Sequence, residues 1–385
     1  MKIAFITPEY PHSKTGNSGG IGTSIKNLAV GLLAEGCSVR ILVYGQKEDG
    51  FFDDNGISIQ QIKNIKFKGL SWFLTRKKLE RIINKLHESK HIDLVEAPDW
   101  TGITSFIQSK KCPIVIRLNG SDTYFCHLDN RPVKWVNKYH EKRALQKANG
   151  LISVSQFTAD LTNKVFNLNK NYTIIPNSID TNLFDETSYN ISTAPSEAGG
   201  LLYFGTLIRK KGALELPLIF NEVYKINSNA KLILIGRDSS DSISGNTSTW
   251  RMMQPLFDAD ALNNVIYLGS VSYQDVKKYI EVATLCVFPS YAEALPVSWI
   301  EAMAMQKPIV ASNIGWANEI IENGKNGFLV NPKNHQEYAH RILELIDHPE
   351  LQIEFGHKGR ETVLNKFCIS IVAQQSLAFY KSLIR

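Results

Sequence analysis

Cysteine is scarce and scattered in this sequence. The 385 residues include five, Cys37, Cys112, Cys126, Cys286 and Cys368, and no two form a C-x-x-C pair. An odd set without such spacing argues against a disulfide or zinc framework and predicts reduced, partly buried thiols in a cytosolic setting. Long hydrophobic runs are lacking as well: no segment approaches the ~18–20 apolar residues that span a bilayer. The opening MKIAFITPEYPH reads as a strand with Pro8 behind it and shows no signal-peptide cleavage site. There is no Walker A run, no solenoid repeat and no low-complexity tract.

The composition that remains is globular: 43% of residues are apolar and 21% charged, enough for a substantial core. The length suits two or three domains. Charge is uneven. Residues 1–190 hold 25 Lys and Arg against 18 Asp and Glu, whereas residues 191–385 hold 18 against 19. The excess is concentrated in KNIKFKGLSWFLTRKKLERIINKLHESK (63–90), with nine basic and two acidic residues and Trp72, Phe73 and Leu74 interleaved. Such a stretch suits an anionic membrane face, or equally a solvated helix with Leu79, Ile82, Ile83 and Leu86 in the core. The net charge of +6 without a recognised motif argues against nucleic-acid binding.

Periodicity predicts an α/β chain. KIAFIT (2–7) is a strand; Ile21, Ile25, Leu28, Ala29, Leu32 and Leu33 line one helix face; SVRILVY (38–44) is a second strand after Gly36. This βαβ unit implies a parallel sheet. Further strands are expected at 92–97, 113–118, 150–155 and 172–176. Residues 185–200, polar with Pro195 and paired glycines, read as a linker. A second series then runs through strands at 201–207, 230–237, 264–269, 284–290 and 308–312. Two such series imply two Rossmann-like domains and a cleft.

Three segments carry candidate chemistry. Glu293 and Glu301 stand eight positions apart after the strand TLCVFPS. Pro296 suits the first turn of a following helix. Backbone N–H groups of Ala294 and Leu295 at that helix start would receive a phosphate, while the carboxylates accept from sugar hydroxyls; the bland alternative is two surface glutamates. Gly205-Thr206-Leu207-Ile208-Arg209-Lys210-Lys211-Gly212 places three cations before a predicted helix. There they oppose the macrodipole unless a polyanion binds; the alternative is a solvated turn. The third segment is the loop Pro8-Glu9-Tyr10 to Gly19-Gly20-Ile21-Gly22. Its glycines permit close backbone approach to a ligand. It is too long for a dinucleotide fingerprint, and Ile25 stands where the third glycine would be.

In this order the three segments resemble the retaining family-4 glycosyltransferases of the GT-B fold. The similarity covers nearly the whole chain and is most specific over 265–332 (VIYLGSVSYQDVKKYIEVATLCVFPSYAEALPVSWIEAMAMQKPIVASNIGWANEIIENGKNGFLVNP). IPNSIDTNLF (175–184), LILIGRD (232–238) and PEYP…GGIGTS support it. The resemblance implies two Rossmann-like domains facing each other across a cleft: an acceptor-side domain over 1–185, completed by a C-terminal helix near 366–385, and a nucleotide-sugar-binding domain over 199–365. It implies transfer from a UDP- or GDP-linked sugar to a hydroxyl of a glycan or lipid-linked precursor, with retention, without cofactor or metal. No D-x-D pair stands in a plausible metal-binding loop. Carried over by position, Lys211 holds the diphosphate, Glu293 the transferred sugar and Glu301 the ribose; Lys211 and Arg209 would stabilise the leaving diphosphate. Main-chain amides around Ala294 and Leu295 complete the phosphate cradle, with Gly205, Thr206, Arg237 and Pro296 also on the donor side. Gly19 and Gly20 approach the donor from the other domain.

Two departures stand out. Thr206 occupies a position where many members carry Arg, a charge that Arg209 is expected to replace. No histidine falls in VEAPDW (95–100) or RLNGSD (117–122), which leaves Glu96, Asp99, Asn119 and Asp122 as acceptor-side candidates. The expected setting is cytoplasmic, at the inner membrane face through residues 63–90. Competing readings are a non-catalytic nucleotide-sugar-binding subunit, a 2-epimerase, against which the Glu293/Glu301 pair speaks, and a synthase with a soluble acceptor.

Overall fold

The structure is a computed structural model and describes residues 1–16, 18–109, 111–185 and 200–384. The expected linker at 185–200 lies almost wholly outside the described residues. The chain divides into two compact units, Met1–Asp180 with Lys366–Arg385, and Thr181–Asn365.

In the first unit eight strands form one sheet: β1 (Lys2–Thr7), β2 (Ser38–Gln46), β3 (Gly50–Asp54), β4 (Ile57–Lys63), β5 (Leu94–Pro98), β6 (Ile114–Leu118), β7 (Gly150–Ser153) and β8 (Thr173–Ile174). Their order is β3-β4-β2-β1-β5-β6-β7-β8. All neighbours are parallel except β3 with β4, an edge hairpin that the sequence reading missed. Its signal was present. Asn55-Gly56, at φ 54° and 88°, forms the two-residue left-handed turn that suits the twist of paired strands.

The continuous apolar strands are buried because helices cover both faces. The helix Gly20–Ala34 turns Ile25, Leu28, Ala29 and Leu32 onto the sheet. The C-terminal helix Ile369–Ile384 adds Val372, Ala373, Leu377 and Tyr380 to the same core. Each fully buried aliphatic side chain of this kind contributes about 1.5–3 kcal/mol. The basic stretch 63–90 resolves into the end of β4, a loop and the helix Ser71–Glu88, which buries Leu79 and Ile83.

The second unit holds β9 (Leu201–Phe204), β10 (Leu232–Ile235), β11 (Val265–Tyr267), β12 (Leu285–Phe288), β13 (Ile309–Ser312) and β14 (Phe328–Val330) in the order β11-β10-β9-β12-β13-β14, all parallel. This is a doubly wound sheet whose strand order reverses between β9 and β12. Ligands of such sheets bind at the carboxyl ends of the strands beside the reversal. In the first unit the corresponding reversal falls between β1 and β5. Strands β9 and β12 are shorter than their hydrophobic runs suggest, because Gly205 (φ 149°) and Pro289 end them.

Candidate active site

The carboxyl ends of β9 and β12 bring two of the candidate segments together. After β9 the chain turns at Gly205, and the hydroxyl of Tyr203 donates to the carbonyl of Thr206 at 3.1 Å. Arg209–Lys211 then forms a single 3-10 turn closed by Gly212 at φ 70°. A Cβ on Gly212 would lie 1.9 Å from the carbonyl oxygen of Pro289, so only glycine lets the two turns approach this closely. The N–H groups of Tyr291 and Ala292 donate to the carbonyl of Lys210 at 2.8 and 3.1 Å, stitching the turn after β9 to the loop after β12.

That stitching places Lys211 Nζ 2.8 Å from Glu293 Oε1. The Lys211 side chain is 24% exposed and that of Glu293 12%, so the pair is partly withdrawn from water. Ser290 Oγ lies 3.5 Å from the same carboxylate oxygen. The three cations stand ahead of the following helix, as read from the sequence, but not at its N-terminus. That helix runs Leu216–Ile226, and the cations occupy the separate turn ahead of it.

Arg209 behaves differently from the expectation. Its guanidinium forks onto Asp241, Nε to Oδ1 at 2.9 Å and Nη2 to Oδ2 at 2.7 Å. Hydrogen bonds from Arg209 hold the Asp241 carboxyl far below the usual carboxylate range despite burial, which acts the other way. Nothing in RDSSDSISGN marked Asp241, because the pairing is made only when the loop after β10 folds over the turn after β9. Arg237, on that loop, is exposed, and its carbonyl accepts from Leu207 N.

Pro296 precedes the helix Val297–Ala304 at its N-cap position, one residue earlier than the first-turn place read from the sequence. Ala294 and Leu295 are buried in the turn leading into it, and Glu301 is buried within the helix. A cluster the sequence did not reveal flanks this region. Glu215, just before the helix Leu216–Ile226, receives His335 Nε2 at 2.7 Å and Lys333 Nζ at 3.1 Å. Burial pushes the Glu215 carboxyl up, but hydrogen bonds from His335 and Lys333 outweigh it and hold the group below its ordinary value.

In the first unit the loop after β1 returns Glu9 over the start of the helix Gly20–Ala34. Gly22 N donates to Glu9 Oε1 at 2.9 Å. Gly19 is the N-cap residue; Gly20, the first helical residue, has open space where a Cβ would stand.

The acceptor-side candidates separate sharply. Glu96, expected to orient a hydroxyl, is buried, with Oε1 2.7 Å from Arg117 Nε and Oε2 accepting from Arg117 Nη2 at 3.3 Å and Tyr380 Oη at 2.5 Å. Arg117 also reaches Ser376 and the carbonyl of Ile175. Both oxygens of Glu96 are therefore occupied in tying the C-terminal helix to the sheet. Asp122 likewise accepts from Asn137 at 2.9 Å and pairs with Arg131 at 3.4 Å. Asn119 donates its backbone N–H to Asp99 Oδ1 at 2.9 Å, and its side-chain amide turns back to the Arg117 carbonyl.

Asp99 is the exception. It follows β5 at the strand reversal, is 1% exposed, and its Oδ2 is a buried oxygen with no hydrogen-bond partner among the described residues. Burial pushes its pKa up to about 7 against the Asn119 N–H; the nearby Glu141 carboxylate pushes the same way as burial. Glu141, missed in the sequence, accepts the N–H groups of Thr101, Asp122 and Thr123. The helix Trp135–Lys147 that carries it passes so close that a Cβ on Gly102 would lie 2.3 Å from the His140 backbone. A histidine from a distant segment thus packs beside the turn that follows VEAPDW. His140 is buried, its Nδ1 lies 2.9 Å from Ser105 Oγ, and burial lowers its pKa to about 4.

Comparisons agree with this architecture. Residues 185–362 match the family model of the glycosyl transferases group 1, and residues 18–183 that of glycosyltransferase family 4. An uncharacterized glycosyltransferase of Methanocaldococcus jannaschii is 24% identical over 368 residues, covering 94% of this chain and 93% of that one. The capsular polysaccharide biosynthesis glycosyltransferase CapM of Staphylococcus aureus is 28% identical over 184 residues, 48% of this chain and 46% of its own. The crystal structure of Anabaena HepE in complex with UDP-glucose superposes with a TM-score of 0.73 at 20% identity, covering 99% of this chain and 100% of that one. The chain belongs to the family-4 glycosyltransferases and has the GT-B fold: it is an enzyme of glycosyl transfer.

Proposed function

We propose that the enzyme moves a sugar from a UDP- or GDP-linked donor to a hydroxyl of a glycan or lipid-linked glycan precursor, with retention at the anomeric carbon and with no metal or cofactor. The observation that carries this reading is the 2.8 Å contact between Lys211 and Glu293 at the carboxyl ends of β9 and β12. As the bond between anomeric carbon and phosphate oxygen breaks, negative charge gathers on the departing diphosphate. An ammonium already held in place donates to that oxygen without having to reorganise. Glu293, on the other side of the ammonium, accepts from hydroxyls of the transferred sugar. Glu301 accepts from the ribose, and the turn at Ala294–Pro296 seats the phosphates. Glu293 and Glu301 bind and position; they are not the acid and nucleophile of a hydrolase.

The retaining outcome and the donor class are supported by the family to which the chain belongs. The glycan acceptor is supported by CapM, which is named for capsular polysaccharide biosynthesis. Work at the cytoplasmic membrane face is supported by the basic stretch 63–90. Among the described residues no helix is long and apolar enough to cross a membrane.

The test is thermal unfolding with UDP, GDP, ADP and their sugar conjugates, followed by product analysis with the stabilising donor. A ligand at ~100 times its Kd adds about 2.7 kcal/mol to stability. A shift with one nucleotide family and transfer with retained anomeric configuration support the proposal. Inversion overturns the stereochemistry, and donor binding without any hydrolysis or transfer points to the non-catalytic subunit instead.

A further inference from the structure

The first unit carries an exposed aromatic and basic surface built from two segments far apart in sequence. One is the loop between β4 and the helix Ser71–Glu88, with Phe67, Leu70 and Trp72 exposed and Lys66 and Lys68 beside them. The other is the helix Trp135–Lys147, where Trp135, Lys138, Tyr139 and Lys142 fall at i, i+3, i+4 and i+7 on one face, preceded by Lys134. Trp135 is 77% exposed and Tyr139 49%.

A chain of ring contacts joins the two into one patch. Trp72 lies 5.4 Å from Phe106 and 4.9 Å from His140, and Phe106 lies 6.5 Å from Tyr139. Neither segment presents a free acid. From Phe67 to Lys78 there is none, and from Arg131 to Lys147 the sole carboxylate is the buried Glu141, occupied by backbone N–H groups. The acids nearby are paired, Asp122 and Asp129 with Arg131, and Glu80 with Lys77.

The second half of the basic stretch is a poorer candidate. Arg76 is buried on the carbonyls of Thr101 and Gly102, and Lys78 is paired with Asp49. Lys85 lies about 20 Å along the helix from Trp72 at 1.5 Å per residue.

We propose that this two-segment surface docks the enzyme on an anionic lipid bilayer. Trp and Tyr rings with exposed edges settle at the headgroup level, and the lysines beside them, in no ion pair among the described residues, add attraction to anionic headgroups. The surface adjoins the Trp100–Gly102 turn directly after Asp99, so docking presents that edge of the first unit to a lipid-borne acceptor. In this respect the inference rests on the membrane-face part of the proposed function.

The experiment is flotation of the full chain with phosphatidylglycerol–phosphatidylcholine vesicles and with pure phosphatidylcholine vesicles, with the nucleotide-induced thermal shift measured on the same preparations. The expected result is binding to the anionic vesicles only, weakened by salt. Trp135→Ala with Tyr139→Ala, and Lys134→Glu with Lys138→Glu, each lower partitioning by more than about tenfold. Arg81→Glu with Lys85→Glu leaves it within about twofold. The nucleotide shift stays unchanged in every variant. Equal binding to both vesicle types, no binding to either, or an equal loss in the Arg81/Lys85 variant overturns the proposal. So does a concentration-dependent dimer that Trp135→Ala abolishes, since the face would then belong to a second copy. Loss of the nucleotide shift in the wild-type protein would instead count against the catalytic reading and leave the docking result standing.

Discussion

The carboxylate of Glu96 and the guanidinium of Arg117 form a two-pronged ion pair, at 2.7 and 3.3 Å, in which both partners are buried and the hydroxyl of Tyr380 donates to the same Oε2 as Arg117 Nη2. Three chain segments meet there: β5, β6 and the C-terminal helix. Breaking a buried pair from one side costs about 3–5 kcal/mol because the other charge stays behind unpaired. Glu96→Gln is therefore expected to lower stability by a few kcal/mol in urea unfolding, with kcat of the folded fraction near wild type. Wild-type stability with lost transfer would return Glu96 to the acceptor site.

Lys211 and Arg209 sit on the same turn but should differ in effect. Lys211 meets Glu293 at the open end of the strands, whereas the charge of Arg209 is already offset by Asp241. Lys211→Ala is expected to lower kcat/KM by at least about tenfold, the scale of a lost transition-state donor. Arg209→Ala should cost less than Lys211→Ala. Steady-state kinetics of both variants on one donor decides it, and the reverse ranking would transfer the leaving-group role to Arg209.

Asp99 gives a pH signature whose sign follows from its raised pKa of about 7. Between the unfolded carboxyl value near 4 and pH 7 the folded state holds more protons than the unfolded one. The contribution of Asp99 to stability is thus fully present in acid and is lost as pH rises through that window. Paired carboxylates such as Glu215 and Asp54 act in the opposite direction, so the difference between wild type and Asp99→Asn is the quantity to follow. The variant should gain stability relative to wild type as pH rises from 5 to 8 in chemical denaturation. A constant difference across that range would mean that Asp99 titrates normally.

Two glycines offer a contrast. Gly212→Ala must overcome both its φ of 70° and a 1.9 Å approach to Pro289 O, so loss of stability and of donor binding together is expected. Gly20→Ala meets open space at the first residue of its helix, so nothing in the fold resists the added methyl. Its melting temperature should stay close to that of the wild type. Equal melting temperatures for the two variants would refute the account of Gly212.

Much of the fold was legible in the sequence because it is written in local periodicity. Apolar runs of four to six residues separated by helical spacing specify parallel strands with covered faces, and the glycines and prolines at their ends set the turns. The hairpin of β3 and β4 was legible too, through Asn55-Gly56, although its strands were overlooked. One contact of the candidate site was readable for the same reason: Lys211 and Glu293 lie in the loops after β9 and β12, and a doubly wound sheet brings those strand ends together.

What sequence alone did not decide is which charges are spent. Glu96 and Arg209 carry the residue types of an active site, yet one is bound to Arg117 and the other to Asp241, partners supplied from other strands and loops. Asp99 has the same residue type as Asp241, but its surroundings leave one oxygen buried without a partner among the described residues and push its pKa the opposite way. Composition and spacing determine where a carboxylate stands along the chain. Only the tertiary structure decides its charge and availability, because both depend on how much water is removed around it and on which distant cation or N–H group takes the place of that water.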